Sequence, residues 1–394
     1  MIDIAILGCG TVGGGVAELL ETNCEQVKAA AGDEVRVKYI LDIRDFKGTK
    51  YENLVVNDIN IIVNDPDIKI ICETMGGKEP ACSYSKLALE HGISVCTSNK
   101  ELVDFYGAEL SEIAKKNNCS YLFEASVGGG TPLLRTLKTL RHEKIDKVMG
   151  ILNGTCNYIL TKMKYENMEL ADALKIAQDK GYAERNPDAD ILGYDTARKI
   201  AILASLVSGK RVHYESVKCE GITKIDKLDF KYAEMLNANI KLLGVYNQGY
   251  EVIVAPFLIP NSNALYGVNE AYNAILFHGN MLSDAMIYGS GAGRYPTASA
   301  VVSDVVELAH NLNKFIYNGL SLELNNDIKA ERKFKFLVRA AGQDALNAFG
   351  NNITELESIN SQCAFITEAM TGAEFDAKAA GLDIKNKIRI LEAI

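Results

Sequence analysis

Apolar positions along the first third of the chain come in short runs set between polar turns. Asp3-Ile4-Ala5-Ile6-Leu7 is a strand pattern, and after a glycine-rich stretch Val16-Ala17-Glu18-Leu19-Leu20 reads as a helix. Further strand patterns are Val35 to Leu41, Ile61-Ile62-Val63, Ile68 to Cys72, Ser94 to Thr97 and Ser120 to Phe123. Helix patterns at Ser83 to His91 and Gly107 to Lys116 fall between them. Alternating strands and helices predict an α/β fold with an N-terminal Rossmann-type doubly wound parallel sheet.

The pattern then changes. A helix is expected around Asn157 to Lys164 and a strand over Tyr250 to Val254. After Gly193 the run Ile200-Ala201-Ile202-Leu203-Ala204 is apolar almost all round, as in an interior helix. From about Lys333 the order reads strand, short helix, two strands, helix, strand. The division expected is a dinucleotide-binding domain over 1–130, an α+β catalytic and dimerisation domain over 131–325, and a short unit over 333–394. The segment 294–312 is expected to pack back on the first domain. No internal repeat or low-complexity linker interrupts this order.

Composition narrows the class. A chain of 394 residues is long enough for two or three domains with substantial cores. Its net charge of −9 argues against nucleic acid or an anionic membrane as main partner. No apolar run reaches the roughly 18 residues of a membrane span, and Met1 to Leu7 lacks a basic leader region. Nine cysteines with no C-x-x-C pair point to reduced thiols and a cytoplasmic setting. None of the five histidines joins a cysteine in zinc spacing.

The first candidate chemistry is Gly8-Cys9-Gly10-Thr11-Val12-Gly13, between a strand and a helix. In a dinucleotide site the first glycine permits the tight turn and the second lets backbone approach the pyrophosphate. The third allows close helix–strand packing, and the helix N-terminus faces the phosphates. Gly14 and Gly15 each cost the helix about 1 kcal/mol, which implies a close approach there too. The second strand ends in Asp42-Ile43-Arg44-Asp45. An acid here suits the ribose hydroxyl of NAD and an arginine the 2′-phosphate of NADP, so both cofactors stay open.

The second candidate is Gly181 to Lys199, which crowds acids, tyrosines and a lysine into a Gly/Pro-punctuated loop. Asp195 and Lys199 stand four apart and share a helix face. Buried charges are costly unless paired or used; the competing reading is a surface ion pair.

Further motifs follow in order: Glu73-Thr74-Met75-Gly76-Gly77, Thr97-Ser98-Asn99-Lys100, Glu124 to Pro132, and Asn153-Gly154-Thr155-Cys156-Asn157-Tyr158. The Gly181 to Lys199 segment is next, then Gly289 to Gly293 with Pro296 to Ala300. Together these motifs resemble homoserine dehydrogenase over about residues 1–310. The resemblance implies NAD(P)-dependent, reversible reduction of L-aspartate 4-semialdehyde to L-homoserine, in threonine and methionine biosynthesis. It implies Lys199 as proton donor, with Lys100 lining both cofactor and substrate. Substrate contacts would come from Glu184, Asp190, Asp195, Asn153, Thr155 and Tyr182. Cofactor contacts would come from Gly8, Gly10, Thr11, Val12, Gly13, Arg44, Ser98, Lys100, Gly181 and Gly293. Backbone carbonyls of Glu124, Val127, Gly129 and Thr131 would bind a sodium ion, since a glycine-rich turn can present oxygens to a hard cation.

The chemistry agrees. Hydride delivery to an aldehyde builds negative charge on oxygen, which needs a positioned acid. With no histidine in these motifs, lysine is the acid available. The tail resembles a shortened ACT-like region, but Arg339-Ala340-Ala341-Gly342 stands where that fold has an Asp-x-Pro-Gly turn. A homodimer or higher homo-oligomer is expected, with a small-molecule substrate. The alternatives are another NAD(P)-linked reductase of an amino-acid semialdehyde or keto acid, and a non-catalytic nucleotide-sensing protein.

Overall fold

The computed structural model describes residues 1–326, 330–350 and 352–391; within the expected tail unit, 351 and 392–394 lie outside the described residues. The first sheet is built from β1 (Ile2–Leu7), β2 (Val35–Leu41), β3 (Val55–Val56), β4 (Ile68–Glu73), β5 (Ser94–Thr97) and β6 (Tyr121–Leu122). Its order is β3-β2-β1-β4-β5-β6, all parallel. The order reverses between β1 and β4, the crevice where doubly wound sheets bind ligands at their carboxyl ends.

One expected strand is a helix. Ile61-Ile62-Val63 belongs to a short helix, Ile59–Val63, started by Asp58, whose carboxylate accepts the Asn60 N–H. A helical turn buries Ile59, Ile62 and Val63 and leaves Ile61 exposed, a spacing that an alternating strand could not give. The expected helix at Gly107 begins earlier, running Lys100–Lys116 behind its cap, Asn99.

The second sheet contains β7 (Ile145–Ile151), β8 (Lys218–Cys219), β9 (Ala238–Asn247), β10 (Ile253–Pro260), β11 (Tyr272–Gly279) and β12 (Ser283–Ser290). It continues into β13 (Phe336–Ala340), β14 (Thr354–Ile359), β15 (Gln362–Ile366) and β16 (Ile384–Ile390). The path is β12-β11-β7-β9-β10-β16-β13-β15-β14, with β8 on β10. The strand expected over Tyr250 to Val254 starts later, at Ile253, and runs to Pro260.

The tail is a β-α-β-β-α-β unit with strand order β16-β13-β15-β14, the ferredoxin-like arrangement. It is no loose appendage. β16 pairs in parallel with β10, and Phe334, Phe336, Phe365 and Phe375 share one core with Ala255, Phe257 and Ile259.

The helix Arg294–Ala309 leaves the second sheet and packs on the helix Thr11–Thr22, sharing a core with Ile4, Val16 and Ala17. This explains Gly15, whereas the close approach expected at Gly14 is absent, since a Cβ there would meet no atom nearer than 3.6 Å. A Cβ on Gly15 would lie 3.0 Å from the Arg294 carbonyl and 3.1 Å from Ala298 Cβ. The close approach is to a helix from far along the chain. No helix among the described residues is long and apolar enough to cross a membrane.

Candidate active site

Two helix starts and one loop converge on a carboxylate. Asp195 and Lys199 lie in the buried helix Tyr194–Ser208, which opens at Gly193 in a left-handed conformation (φ +88°). Lys199 Nζ is 2.8 Å from Asp195 Oδ2 and donates to the Leu152 carbonyl at 2.8 Å. Lys100, the first residue of its helix, reaches Asp195 Oδ1 at 2.9 Å. A helix N-terminus disfavours a cation, so this lysine depends on its partner.

Asn153 completes the cluster. Its Oδ1 caps the helix Gly154–Tyr165 by accepting the Cys156 N–H, while its Nδ2 donates to Asp190 Oδ1 at 2.7 Å and Asp195 Oδ2 at 2.9 Å. Burial would push the Asp195 carboxyl up, but Lys199 and Lys100 hold it well below the usual carboxylate range. Asp195 in turn raises the Lys100 ammonium. Asp190 is pushed up, chiefly by burial. An ammonium has three donors; two of those on Lys199 are taken, leaving one for an incoming oxygen.

The other loop residues stand apart from this cluster. Glu184 and Tyr182 are exposed. Thr155 Oγ1 donates to the Tyr182 carbonyl at 2.6 Å, and the Tyr182 ring packs against Tyr158. Gly181 has φ +74° and Gly293 φ +121°, conformations that favour glycine.

The glycine loop is shaped as a cradle. Gly8 has φ +84°, and a Cβ there would meet Met75 Cα at 2.9 Å. A Cβ on Gly13 would lie 2.0 Å from the Gly8 carbonyl, whereas Gly10 faces open space. Thr74 Oγ1 fixes the turn by donating to the Gly8 carbonyl at 2.6 Å. Thr11 and Val12 open the following helix, whose first turn carries no acid, leaving its N-terminus free for an anion. The cleft beyond is lined by Gly10, Ile43, Arg44, Asn57, Met75 and Tyr84. Arg44 clasps Asp42 through Nε at 2.9 Å and Nη2 at 2.6 Å. Asp42 also accepts the Cys9 N–H at 2.7 Å, and the Arg44 contact chiefly holds its carboxyl down to about 2.

Glu73 has a role that the motif pattern left unassigned. It is fully buried at the end of β4, accepting from Thr97 Oγ1 at 2.5 Å and the Met75 N–H at 2.8 Å. Thr97 Oγ1 accepts the Asn99 N–H, Asn99 caps the Lys100 helix, and the Ser98 N–H donates to the Glu73 carbonyl. One buried acid thus ties the loops after β4 and β5 to the helix that begins at Lys100. Only its position at a strand's carboxyl end hinted at this.

At the other glycine loop, Glu124 turns its carboxylate to the backbone N–H groups of Leu134 and Arg135. Its side chain is therefore engaged in starting the helix Leu133–Thr139. Gly128 and Gly129 have φ +83° and +54°, Val127 is buried, and Thr131 Oγ1 is buried without a hydrogen bond. Among the described residues no three His, Cys, Asp or Glu side chains gather as a metal site.

Comparison with known proteins gives one consistent answer. Residues 132–306 match the homoserine dehydrogenase family and residues 8–124 match the homoserine dehydrogenase NAD-binding domain. A homoserine dehydrogenase of Bacillus subtilis is 39% identical over 319 residues, covering 79% of this chain and 73% of its own length. The crystal structure of a homoserine dehydrogenase from Thiobacillus denitrificans superposes with a TM-score of 0.88 at 31% identity, covering 99% of this chain and 98% of that one. A hyperthermophilic archaeal homoserine dehydrogenase solved with NADPH gives a TM-score of 0.67 at 28% identity, covering 78% and 97%.

Proposed function

We infer how the cleft works from the premise that the chain belongs to the homoserine dehydrogenase family. It is an NAD(P)-dependent oxidoreductase that interconverts L-aspartate 4-semialdehyde and L-homoserine. A bound nicotinamide cofactor supplies the hydride taken up by the aldehyde carbon. Lys199 gives the proton to the carbonyl oxygen as charge develops there. In the oxidation of homoserine it takes that proton back. Lys100 faces the same oxygen from the cofactor side. Asp195 holds both ammoniums in place, and Asn153 fixes the rotamer of Asp195.

The observation that carries this reading is the single carboxylate shared by Lys100 and Lys199, at 2.9 and 2.8 Å. A bland surface ion pair would not bury its acid and hold two lysines from different units. Asp190 and Glu184 suit the substrate's α-ammonium group, with Thr155 and Tyr182 shaping the loop. The Gly8–Gly13 cradle, with Ser98, Gly181 and Gly293, suits the dinucleotide. Arg44 favours NADPH.

Thr131 Oγ1, buried without a partner beside two positive-φ glycines, supports a sodium ion held by carbonyls of Glu124, Val127, Gly129 and Thr131. The strand order of the tail supports an ACT-like unit over 333–394, and the catalytic and dimerisation region is read as 131–325. Exposed Met286 and Tyr288 on the edge strand β12, with Met281 and Leu282 in the turn before it, support a homo-oligomer. Nine free cysteines support a cytoplasmic setting.

Steady-state assay of aspartate semialdehyde with NADPH and with NADH tests the reading. Turnover with both, and faster with NADPH, is expected. No turnover with either would leave only a nucleotide-binding role, and preference for another semialdehyde or keto acid would reassign the substrate.

A further inference from the structure

The short helix Asp188–Ile191, which carries Asp190, is held from two sides. On the inner side Cys156 Sγ donates to the Asp190 carbonyl at 3.1 Å and Asn153 holds its carboxylate. On the outer side lies the segment Cys219-Glu220-Gly221-Ile222. The Ile222 N–H donates to the Ile191 carbonyl at 2.8 Å, and Cys219 Sγ donates to the Leu192 carbonyl at 3.2 Å. Contact is so close that a Cβ on Gly221 would fall 2.1 Å from the Ile191 oxygen. Any displacement of this segment therefore moves the backbone of the Asp190 helix.

The segment is fastened to the tail. Arg389 of β16 donates through Nη1 and Nη2 to the two oxygens of Glu220, at 2.7 and 2.8 Å. The guanidinium is buried against the Phe336 ring and the carboxylate is partly covered. Such two-pronged pairing fixes orientation as well as distance. A second tie joins Lys218 to Glu331, whose other oxygen accepts the Ala373 N–H at the start of the helix Gly372–Ala379. A groove lined by Glu220, Lys224, Asp376 and Lys387 runs beside these ties. The segment is thus tied to β16 directly and to that helix through Glu331.

We propose that Arg389 is a positioning residue for substrate: through Glu220 and Gly221 the C-terminal unit sets the placement of Asp190. The tail then acts on amino-acid binding without touching the reacting atoms. This rests on the reading of Asp190 as a substrate carboxylate. The glycine cradle lies off this path, so cofactor binding is spared, whereas the lysine pair is reached only through the Asn153 amide that Asp190 and Asp195 share.

The test is steady-state kinetics of the full-length protein, with Asp190→Asn, Arg389→Met, Arg389→Lys and Glu220→Gln. Arg389→Met and Glu220→Gln are expected to raise KM for the amino-acid substrate about 2- to 30-fold, the usual span for couplings carried through packed networks. KM for NADPH should change little in folded Glu220→Gln, and Arg389→Lys should recover part of the loss. A folded Arg389→Met or Glu220→Gln with unchanged substrate KM, while Asp190→Asn raises it, overturns the proposal and leaves the site reading intact. If Asp190→Asn itself leaves KM unchanged, the site reading fails and the proposal with it. Should Arg389→Met not fold, Glu220→Gln decides alone.

Discussion

Lys199 stands 2.8 Å from Asp195, one helical turn further along the same buried face, so its charge has a partner that does not depend on solvent. As the proposed proton donor, a lysine held this way would be ready before substrate arrives. Replacing Lys199 with Ala is expected to lower kcat by roughly 10²- to 10⁴-fold, the range for a lost general acid. Binding of NADPH, measured by fluorescence titration, should hold. Near-normal turnover in the variant would take Lys199 out of the chemistry.

Arg44 and Asp42 suggest a cofactor switch. Both Asp42 oxygens are occupied, by the Arg44 fork and the Cys9 N–H, while the guanidinium is half exposed to the cleft. An incoming 2′-phosphate can take over the fork; a ribose hydroxyl must compete for Asp42. Wild type should prefer NADPH modestly. In Arg44→Ala the NADPH-to-NADH ratio of kcat/KM should fall by roughly 10-fold or more, since a hydrogen bond to a charged group is worth about 1.5–3 kcal/mol. An unchanged ratio would show that Arg44 does not contact the phosphate.

The features legible in the sequence are those whose cause is local. The Gly8–Gly13 turn, the Lys199 helix after Gly193 and the order of elements in the tail each follow from nearby residues. Ile61-Ile62-Val63 reads as a strand in the sequence and is a helix, because three consecutive apolar residues carry no period and the Asp58 cap starts a helical turn. What could not be read is set by contacts between distant segments. Gly15 is small because Arg294 and Ala298 press on it, and Glu220 meets Arg389 across 169 positions. No local pattern encodes such pairs.

Asp104 should make stability depend on pH. It sits one turn after Lys100 and is buried. Burial pushes it up to about 6, against the Tyr214 backbone N–H and the charges of Arg211 and Arg198. A raised folded-state value means stability that is full below the unfolded value near 4 and is lost as pH rises through about 6. The loss is at most about 3 kcal/mol, from roughly two pH units at 1.36 kcal/mol each. Asp104→Asn removes this titration. Urea unfolding of both proteins should show the variant gaining on wild type between pH 4 and 7, then running parallel. A difference constant across that range would refute it.

Arg339 anchors the tail to the rest of the chain, and breaking that anchor should be costly. It lies in β13 almost wholly buried, with Nε 2.6 Å from Asp229 Oδ1, Nη2 2.6 Å from Asp226 Oδ2 and Nη1 2.9 Å from Gln362. Asp229 is equally buried and also accepts from Asn386 at 2.7 Å. An intact buried pair contributes little net, because desolvation offsets attraction, but an orphaned partner is a different case. Arg339→Met fills much of the volume yet leaves Asp229 without its cation, at an expected cost of about 3–5 kcal/mol. Adding Asp229→Asn removes the stranded charge and should restore a good part of that loss. Equilibrium unfolding of the two single variants and the double variant gives the coupling directly. If the double variant is no more stable than Arg339→Met, the loss comes from packing rather than from a buried charge.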